Sequence, residues 1–229
     1  MEIDVSELEK KIGLSFKNKD DLRQALTHRS YLNENPKWHL EHNERLEFLG
    51  DAVLELVVTE YLYNKYTNPE GELTSWRAAL VNAIMLAKIS EKINLNDYLL
   101  LSRGEARDTG RARQYILANT MESLIGAAYL DQGYDAAKQF IEQFVLPELT
   151  PVLEEKAYRD YKSRFQEEAQ DRVGTTPTYE VIKEWGPDHA KQFQIGVYLN
   201  GDLAGEGSGP SKQDAQQEAA KDALGKKAW

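Results

Sequence analysis

The sequence has no cysteine, which removes disulfides and thiolate metal sites from consideration and suits a reducing compartment. It also lacks any long hydrophobic run. The longest apolar stretches, such as residues 52–58, are broken by Glu55 and fall far short of the roughly 20 residues that a membrane-spanning helix needs. The opening MEIDVSELEKK is acidic and polar, unlike a secretory signal. Histidines are few, and His28, His39 and His42 show no ligand-like spacing; His39 beside Trp38 reads as packing. No glycine-rich phosphate loop follows a strand, which argues against a nucleotide cofactor. These absences lead us to expect a soluble, cytoplasmic protein with no membrane association. Positive charge is short as well: 28 Lys and Arg face 38 Asp and Glu, a net charge of −10. Residues 160–229 hold nine basic against twelve acidic residues, and the remainder nineteen against twenty-six. Neither part is a basic module of the usual nucleic-acid-binding kind. Recognition of phosphate would need locally placed cations, or metal ions that turn carboxylates into phosphate partners.

What is present suffices for real cores: 41% of the 229 residues are hydrophobic. Residues 1–151 read as almost wholly helical. Ser6-x-x-Glu9 has a capping-box pattern that opens a first helix, and residues 20–26 form a second. A long helix over about residues 40–66 follows from the spacing of Leu46, Leu49, Val53, Leu56, Val57 and Leu62. Asn68-Pro69-Glu70-Gly71 ends it as a turn. Helical periodicity returns over residues 73–93, 115–130 and 135–144. Between these lies SRGEARDTGRAR (102–113), a Gly/Arg-rich loop that is either a solvated connection or a phosphate-facing segment. Pro147 and Pro151 bracket a change of texture, and residues 152–159 read as a charged linker. Residues 160–229 change period: a helix over 161–173, alternating strands over 178–184 and 193–199, a short strand over 203–206, and a last helix after Ser211, where Ser211-x-x-Asp214 resembles a capping box. The fold class expected is an all-α domain followed by a small α+β domain of order α-β-β-β-α.

Chemistry concentrates on two helices. Glu44, Glu47 and Asp51, spaced i, i+3, i+7, fall within about 60° on one helix face. Asn119 and Glu122 are spaced i, i+3 on the helix over 115–130. Both sets sit among apolar neighbours, where acids are costly unless paired or metal-bound. Hard oxygen ligands from two packed helices suit Mg²⁺ and two-metal phosphodiester hydrolysis. By spacing alone they are equally ordinary surface acids, and those near a helix start also favour its dipole.

The run HNERLEFLGDAVLELV (42–57) resembles the signature of ribonuclease III. ILANTMESLIGAAYLD (116–131) resembles the second acidic motif of that family, and EGELTSWRAALVN (70–82) the helix between them. The C-terminal region resembles a double-stranded-RNA-binding domain. Together these segments cover nearly the whole chain in the expected order. The resemblance implies an all-α endonuclease domain (1–151) and a double-stranded-RNA-binding domain (160–229). It implies a homodimer that hydrolyses RNA duplexes with Mg²⁺, Mn²⁺ able to substitute, leaving 5′-phosphate and 3′-hydroxyl ends, and that acts on ribosomal and other structured RNAs. It makes Glu47, Asp51, Asn119 and Glu122 metal ligands, with Asp51 and Glu122 catalytic. Glu44 becomes a supporting or interface acid, and Glu70 an acid at the cleft.

The chain departs from the family where Asn119 replaces the usual Asp. Asn keeps a carbonyl oxygen for a hard cation but removes one negative charge. Two readings stay open: an enzyme with a higher Mg²⁺ requirement, or a duplex-binding protein with weak or no cleavage. In the second domain Gln166 and Gln170, at i, i+4, are expected to reach RNA hydroxyls. His189, at the tip of the loop 186–191 (GPDHAK), is expected in a minor groove, and Lys212 at the start of the last helix beside phosphate. Gln213 stands where a second cation is common, which predicts a shallow salt dependence.

Overall fold

The computed structural model describes residues 4–154, 161–187 and 191–229, in two compact units, Met1–Tyr158 and Arg159–Trp229. The first unit is helical: α1 (Ser6–Ile12), α2 (Lys19–Ala25), α3 (Arg29–Glu34), α4 (Glu44–Lys65), α5 (Glu70–Val81), α6 (Ala83–Lys92), α7 (Arg111–Gln132), α8 (Tyr134–Phe144) and α9 (Leu149–Glu154). The two long helices, α4 and α7, pack along each other, and α2, α6 and α8 close around α7. Leu54, Val57 and Val58 of α4 meet Met121, Leu124 and Ile125 of α7 in the core. Each such side chain, fully buried, contributes about 1.5–3 kcal/mol. Val152 of α9 is also buried in this core, so the first unit reaches past Pro151.

The α4–α7 crossing is set by two glycines. A Cβ at Gly50 would lie 1.7 Å from the Glu122 carbonyl oxygen, and one at Gly126 would lie 2.2 Å from that of Leu46. Only hydrogen at both positions lets the backbones approach this closely.

Local signals resolve differently from the sequence reading in four places. Ser6 does not cap α1: Val5 precedes the helix without a side-chain cap, and Glu9 turns inward to accept from the Phe16 amide at 2.7 Å and from the Lys19 ammonium. A buried carboxylate with two such donors is worth more than an exposed capping bond. The helix expected over 73–93 is two helices. Asn82 is extended and its Oδ1 accepts from the Met85 amide at 2.9 Å, so it ends α5 and caps α6. The expected turn at 68–71 is shorter, because Pro69 already precedes α5 and Glu70 and Gly71 form its first turn. A short helix not foreseen, α3, starts at His28, whose Nδ1 accepts from the Ser30 amide at 3.3 Å. Burial pushes the His28 pKa down, which keeps that nitrogen available as an acceptor.

The second unit runs α10 (Tyr161–Val173), β1 (Thr178–Trp185), β2 (Gln192–Leu199), β3 (Asp202–Gly209) and α11 (Lys212–Lys227), with the antiparallel sheet ordered β1-β2-β3. Asn200 and Gly201, both at positive φ, make the tight β2–β3 hairpin. Phe165, Val197, Leu199 and the alanines Ala219, Ala220 and Ala223 form its core. Ser211 caps α11 as expected, its Oγ accepting from the Asp214 amide at 3.1 Å. Among the described residues no helix is long and apolar enough to cross a membrane.

Candidate active site

Gly50 lies between Glu47 and Asp51 on α4, opposite the backbone of Glu122 on α7. The close crossing therefore brings the two acidic helix faces together. Glu47, Asn119 and Glu122 are half-buried and Asp51 is exposed, so the cluster opens to solvent on one side. Burial pushes the Glu47 carboxyl up, as do the charges of Glu44 and Asp51, while a hydrogen bond from the Asn119 side chain holds it down. Burial, with Asp51 and Glu47 nearby, raises Glu122 to about 7. Among the described residues no lysine or arginine pairs with Glu47, Asp51 or Glu122. Uncompensated negative charge held in a partly dry cleft attracts cations.

The side chains fit a hard divalent ion in chemistry, offering three carboxylates and one amide. Among the described residues, however, no three histidine, aspartate or glutamate side chains already converge on one point. Mg²⁺ tolerates this, because it keeps several waters and commonly takes only one or two carboxylates together with substrate phosphate oxygens. Asn119 also bears on Glu47, its side chain holding the Glu47 carboxyl down, an influence that the sequence reading, which treated it only as a ligand, did not foresee.

Glu44 stands beside the cluster and is occupied elsewhere, 3.3 Å from Arg29 and 3.8 Å from His42. Glu70 is exposed in the first turn of α5 and borders a groove of about 530 Å³ lined by Thr59, Leu62, Tyr63, Tyr66 and Arg77. Among the described residues no hydrogen bond or ion pair joins Glu70 to Glu47, Asp51 or Glu122. Beside the groove, α4 exposes Phe48 (81%), Leu56 (57%) and Tyr63 (77%), which is costly apolar surface for a free helix face. The loop after Leu101 is anchored to α3 by bonds from the Ser102 amide to Ser30 Oγ (3.1 Å) and from the Arg103 amide to Glu34 (3.2 Å). Arg113 turns back onto the Glu105 and Asp108 carbonyls, whereas Arg103, Arg107 and Arg111 stay exposed. Residues 102–110 thus form a pinned loop with Arg103 and Arg107 exposed, while Arg111 to Arg113, expected in the loop, open α7.

In the second unit Gln166 and Lys212 line one depression of about 530 Å³ together with Lys162, Ser163, Gln213 and Gln216. Lys162 donates to Gln216 Oε1 at 2.8 Å, which holds two polar side chains on one surface. Gln170 is exposed one turn further along α10. His189 lies outside the described residues. Lys162 and Gln216 escaped the sequence reading; their signal was the i, i+4 spacing of Lys162 with Gln166 and of Lys212 with Gln216.

Residues 18–149 match the ribonuclease-III-like family, and residues 161–226 match the double-stranded RNA binding motif. The chain is 49% identical to ribonuclease 3 of Natranaerobius thermophilus over 218 residues, covering 95% of this chain and 94% of the relative. It is 45% identical to ribonuclease 3 of Oceanobacillus iheyensis, covering 97% of each. Among solved structures, a nuclease domain of ribonuclease III from Campylobacter jejuni superposes with a TM-score of 0.57 at 41% identity, covering 62% of this chain and 96% of that one. That structure is described as flexible in a region involved in dimer formation. The two ribonuclease 3 relatives match the chain across both units, and the Campylobacter jejuni nuclease domain matches 62% of it. The chain belongs to the ribonuclease III family of double-stranded-RNA endonucleases.

Proposed function

We propose that this protein is a Mg²⁺-dependent homodimeric nuclease that hydrolyses both strands of RNA duplexes, leaving 5′-phosphate and 3′-hydroxyl ends, and that its substrates include ribosomal and other structured RNAs. The observation that carries the metal dependence is the cluster of Glu47, Asp51 and Glu122, in which burial and proximity hold Glu122 near pKa 7 with no cationic side chain among the described residues paired to it. Glu47, Asp51, Asn119 and Glu122 would hold the ion. Bound there, it would supply an activated water and neutralise charge developing on the scissile phosphate. The half-buried walls exclude part of the bulk water, which strengthens each charge interaction at the phosphate. Asn119, whose side chain already lowers the Glu47 carboxyl, would help to orient it by donating to it. The exposed Phe48, Leu56 and Tyr63 and the adjoining groove support a second copy as the partner of α4, with Glu70 at the edge of the covered area. In the second unit Gln166, Gln170 and Lys212 present amides and charge to RNA hydroxyls and phosphates. Incubation with a long RNA duplex, with and without Mg²⁺, tests the reading. Short duplex products only with the metal support it, and an intact retained complex in both cases would instead favour a binding protein.

Asn119 tunes this site in two opposing ways. Its donor relieves repulsion at Glu47 when the metal is absent, and its neutrality weakens attraction for the metal when it is present. N119D is therefore expected to reach half-maximal cleavage at a severalfold lower Mg²⁺ concentration. Equal titration curves for the two proteins would rule out this effect of the amide.

Charge on the RNA-binding unit gives a separate expectation. K212A should weaken duplex binding across all sequences and lower the slope of log affinity against log salt by roughly 1. An unchanged slope in filter binding at several salt concentrations would remove Lys212 from the phosphate contacts.

A further inference from the structure

The acidic clusters on α4 and α7 are bracketed by a second fixed point besides the glycine crossing. Ala25 ends α2, and its carbonyl is one of those that the helix leaves without an internal partner. It accepts from Asn43 Nδ2 at 3.2 Å and from Ser123 Oγ at 2.8 Å. Asn43 is the residue before α4, and Ser123 is the neighbour of Glu122 on α7. Both donors are buried, Asn43 at 3% exposure and Ser123 at 0%. Asn43 is held further by its amide, which donates to the Thr27 carbonyl at 2.9 Å, and its own carbonyl accepts from the Glu47 amide at 2.9 Å. Ser123 Oγ is shared with the Thr120 carbonyl at 2.9 Å.

On α4, Glu47 comes four residues after Asn43 and three before Gly50. On α7, Glu122 comes one residue before Ser123 and four before Gly126. Glu47 therefore sits between the Asn43 hydrogen bond and the Gly50 contact, while Glu122 adjoins Ser123 and has its own carbonyl against Gly50. The glycine crossing fixes how closely the helices approach, but a close-packed crossing alone leaves sliding and rolling less constrained. A carbonyl that accepts from both helices removes that freedom.

We propose that Asn43 and Ser123 are positioning residues: through the Ala25 carbonyl they fix the register of α4 against α7, and so the spacing of Glu47 and Asp51 from Asn119 and Glu122. The inference rests on the reading of this cluster as a divalent-metal site. It reaches the metal only through the carboxylates, because neither residue touches the ion.

The test uses the full chain, free of RNA, with Mn²⁺ as the probe and free Mn²⁺ followed by electron paramagnetic resonance. S123A should bind Mn²⁺ more weakly by on the order of tenfold, the scale on which supporting hydrogen bonds affect metal sites. S123T keeps the hydroxyl and should stay close to wild type. S123C is close to serine in size with a weaker donor, should fall between, and provides a folded variant if S123A unfolds. S90A is the control. Ser90 is also a buried serine bonded to an α7 carbonyl, that of Leu117 at 3.0 Å, away from the Ala25 clamp. It should lose comparable stability in urea while keeping its Mn²⁺ affinity. Equal Mn²⁺ affinity in S123A and wild type would overturn the proposal, as would an equal loss in S90A and S123A, which would reduce Ser123 to a general packing role. Wild-type protein that binds no Mn²⁺ and cleaves duplex in EDTA would instead overturn the metal-site reading beneath it.

Discussion

Replacing Glu122 by glutamine is expected to lower duplex cleavage by roughly 10³-fold while making the metal-free protein more stable above pH 7. The two effects have one origin. In the metal-free fold, burial and the charges of Asp51 and Glu47 raise the Glu122 carboxyl to about 7 from its usual 4.5. A carboxyl whose folded pKa is raised favours the fold in its protonated form. Its contribution is fully present below about pH 4.5 and is lost as the pH rises through 7. At pH 8 the ionised group costs the fold about 1–2 kcal/mol, after discounting for its half-exposed position. Glutamine keeps the shape and removes the charge, so in EDTA at pH 8 E122Q should melt later than wild type, and at pH 4 the two should coincide. Added Mg²⁺ should reverse the order, because binding stabilises only the protein that binds it, by RT ln(1 + [L]/Kd). Thermal melts at both pH values, with EDTA and with Mg²⁺, check each step. A variant no more stable than wild type at pH 8 in EDTA would remove the repulsion argument, even if cleavage were lost.

The grouping of Glu44, Glu47 and Asp51 on one helix face and of Asn119 and Glu122 on another was legible because it needs only helical geometry. Their reading as a metal site came from the resemblance to ribonuclease III, since spacing alone fits ordinary surface acids equally well. Strong local signals also carried through, such as the helix Tyr161–Val173 and the Ser211 cap. What escaped depends on contacts between residues distant in the chain. Asn82 breaks a continuous apolar period because its side chain finds the Met85 amide, a choice that periodicity does not encode. Ser6 and Glu9 have the letters of a capping box, but Phe16 and Lys19 claim the glutamate. Asn43 lies inside the signature run with no signal of its own; only the fold shows it bonded to the end of α2. Gly50 and Gly126 carry no signal in the sequence that sets them apart from other helix glycines. Their purpose appears only when the helix backbones are brought together.

Those two glycines support the prediction with the largest expected effect on stability. Glycine to alanine within a helix ordinarily stabilises it by about 1 kcal/mol, through propensity alone. At Gly50 the sign should reverse. The new Cβ would lie 1.7 Å from the Glu122 carbonyl oxygen and 2.8 Å from the Gly126 nitrogen, and neither backbone atom can swing aside as a flexible side chain would. Restoring ordinary contact requires α4 and α7 to part by roughly 1–2 Å, which forfeits dispersion contacts along the core face they share. The expected cost of G50A is roughly 3 kcal/mol or more, well beyond the gain from propensity. G71A is the matched control, because a Cβ there meets nothing within 4 Å in the exposed first turn of α5, and it should be neutral or slightly stabilising. Urea unfolding of the full chain, following the transition of the first unit, separates the two. G50A should also lose Mn²⁺ binding under conditions where it remains folded, since the backbone it displaces is that of Glu122 itself. A G50A protein as stable as G71A would mean that the helices can separate freely, and the close crossing could then not be what holds Glu47 and Asp51 against Glu122.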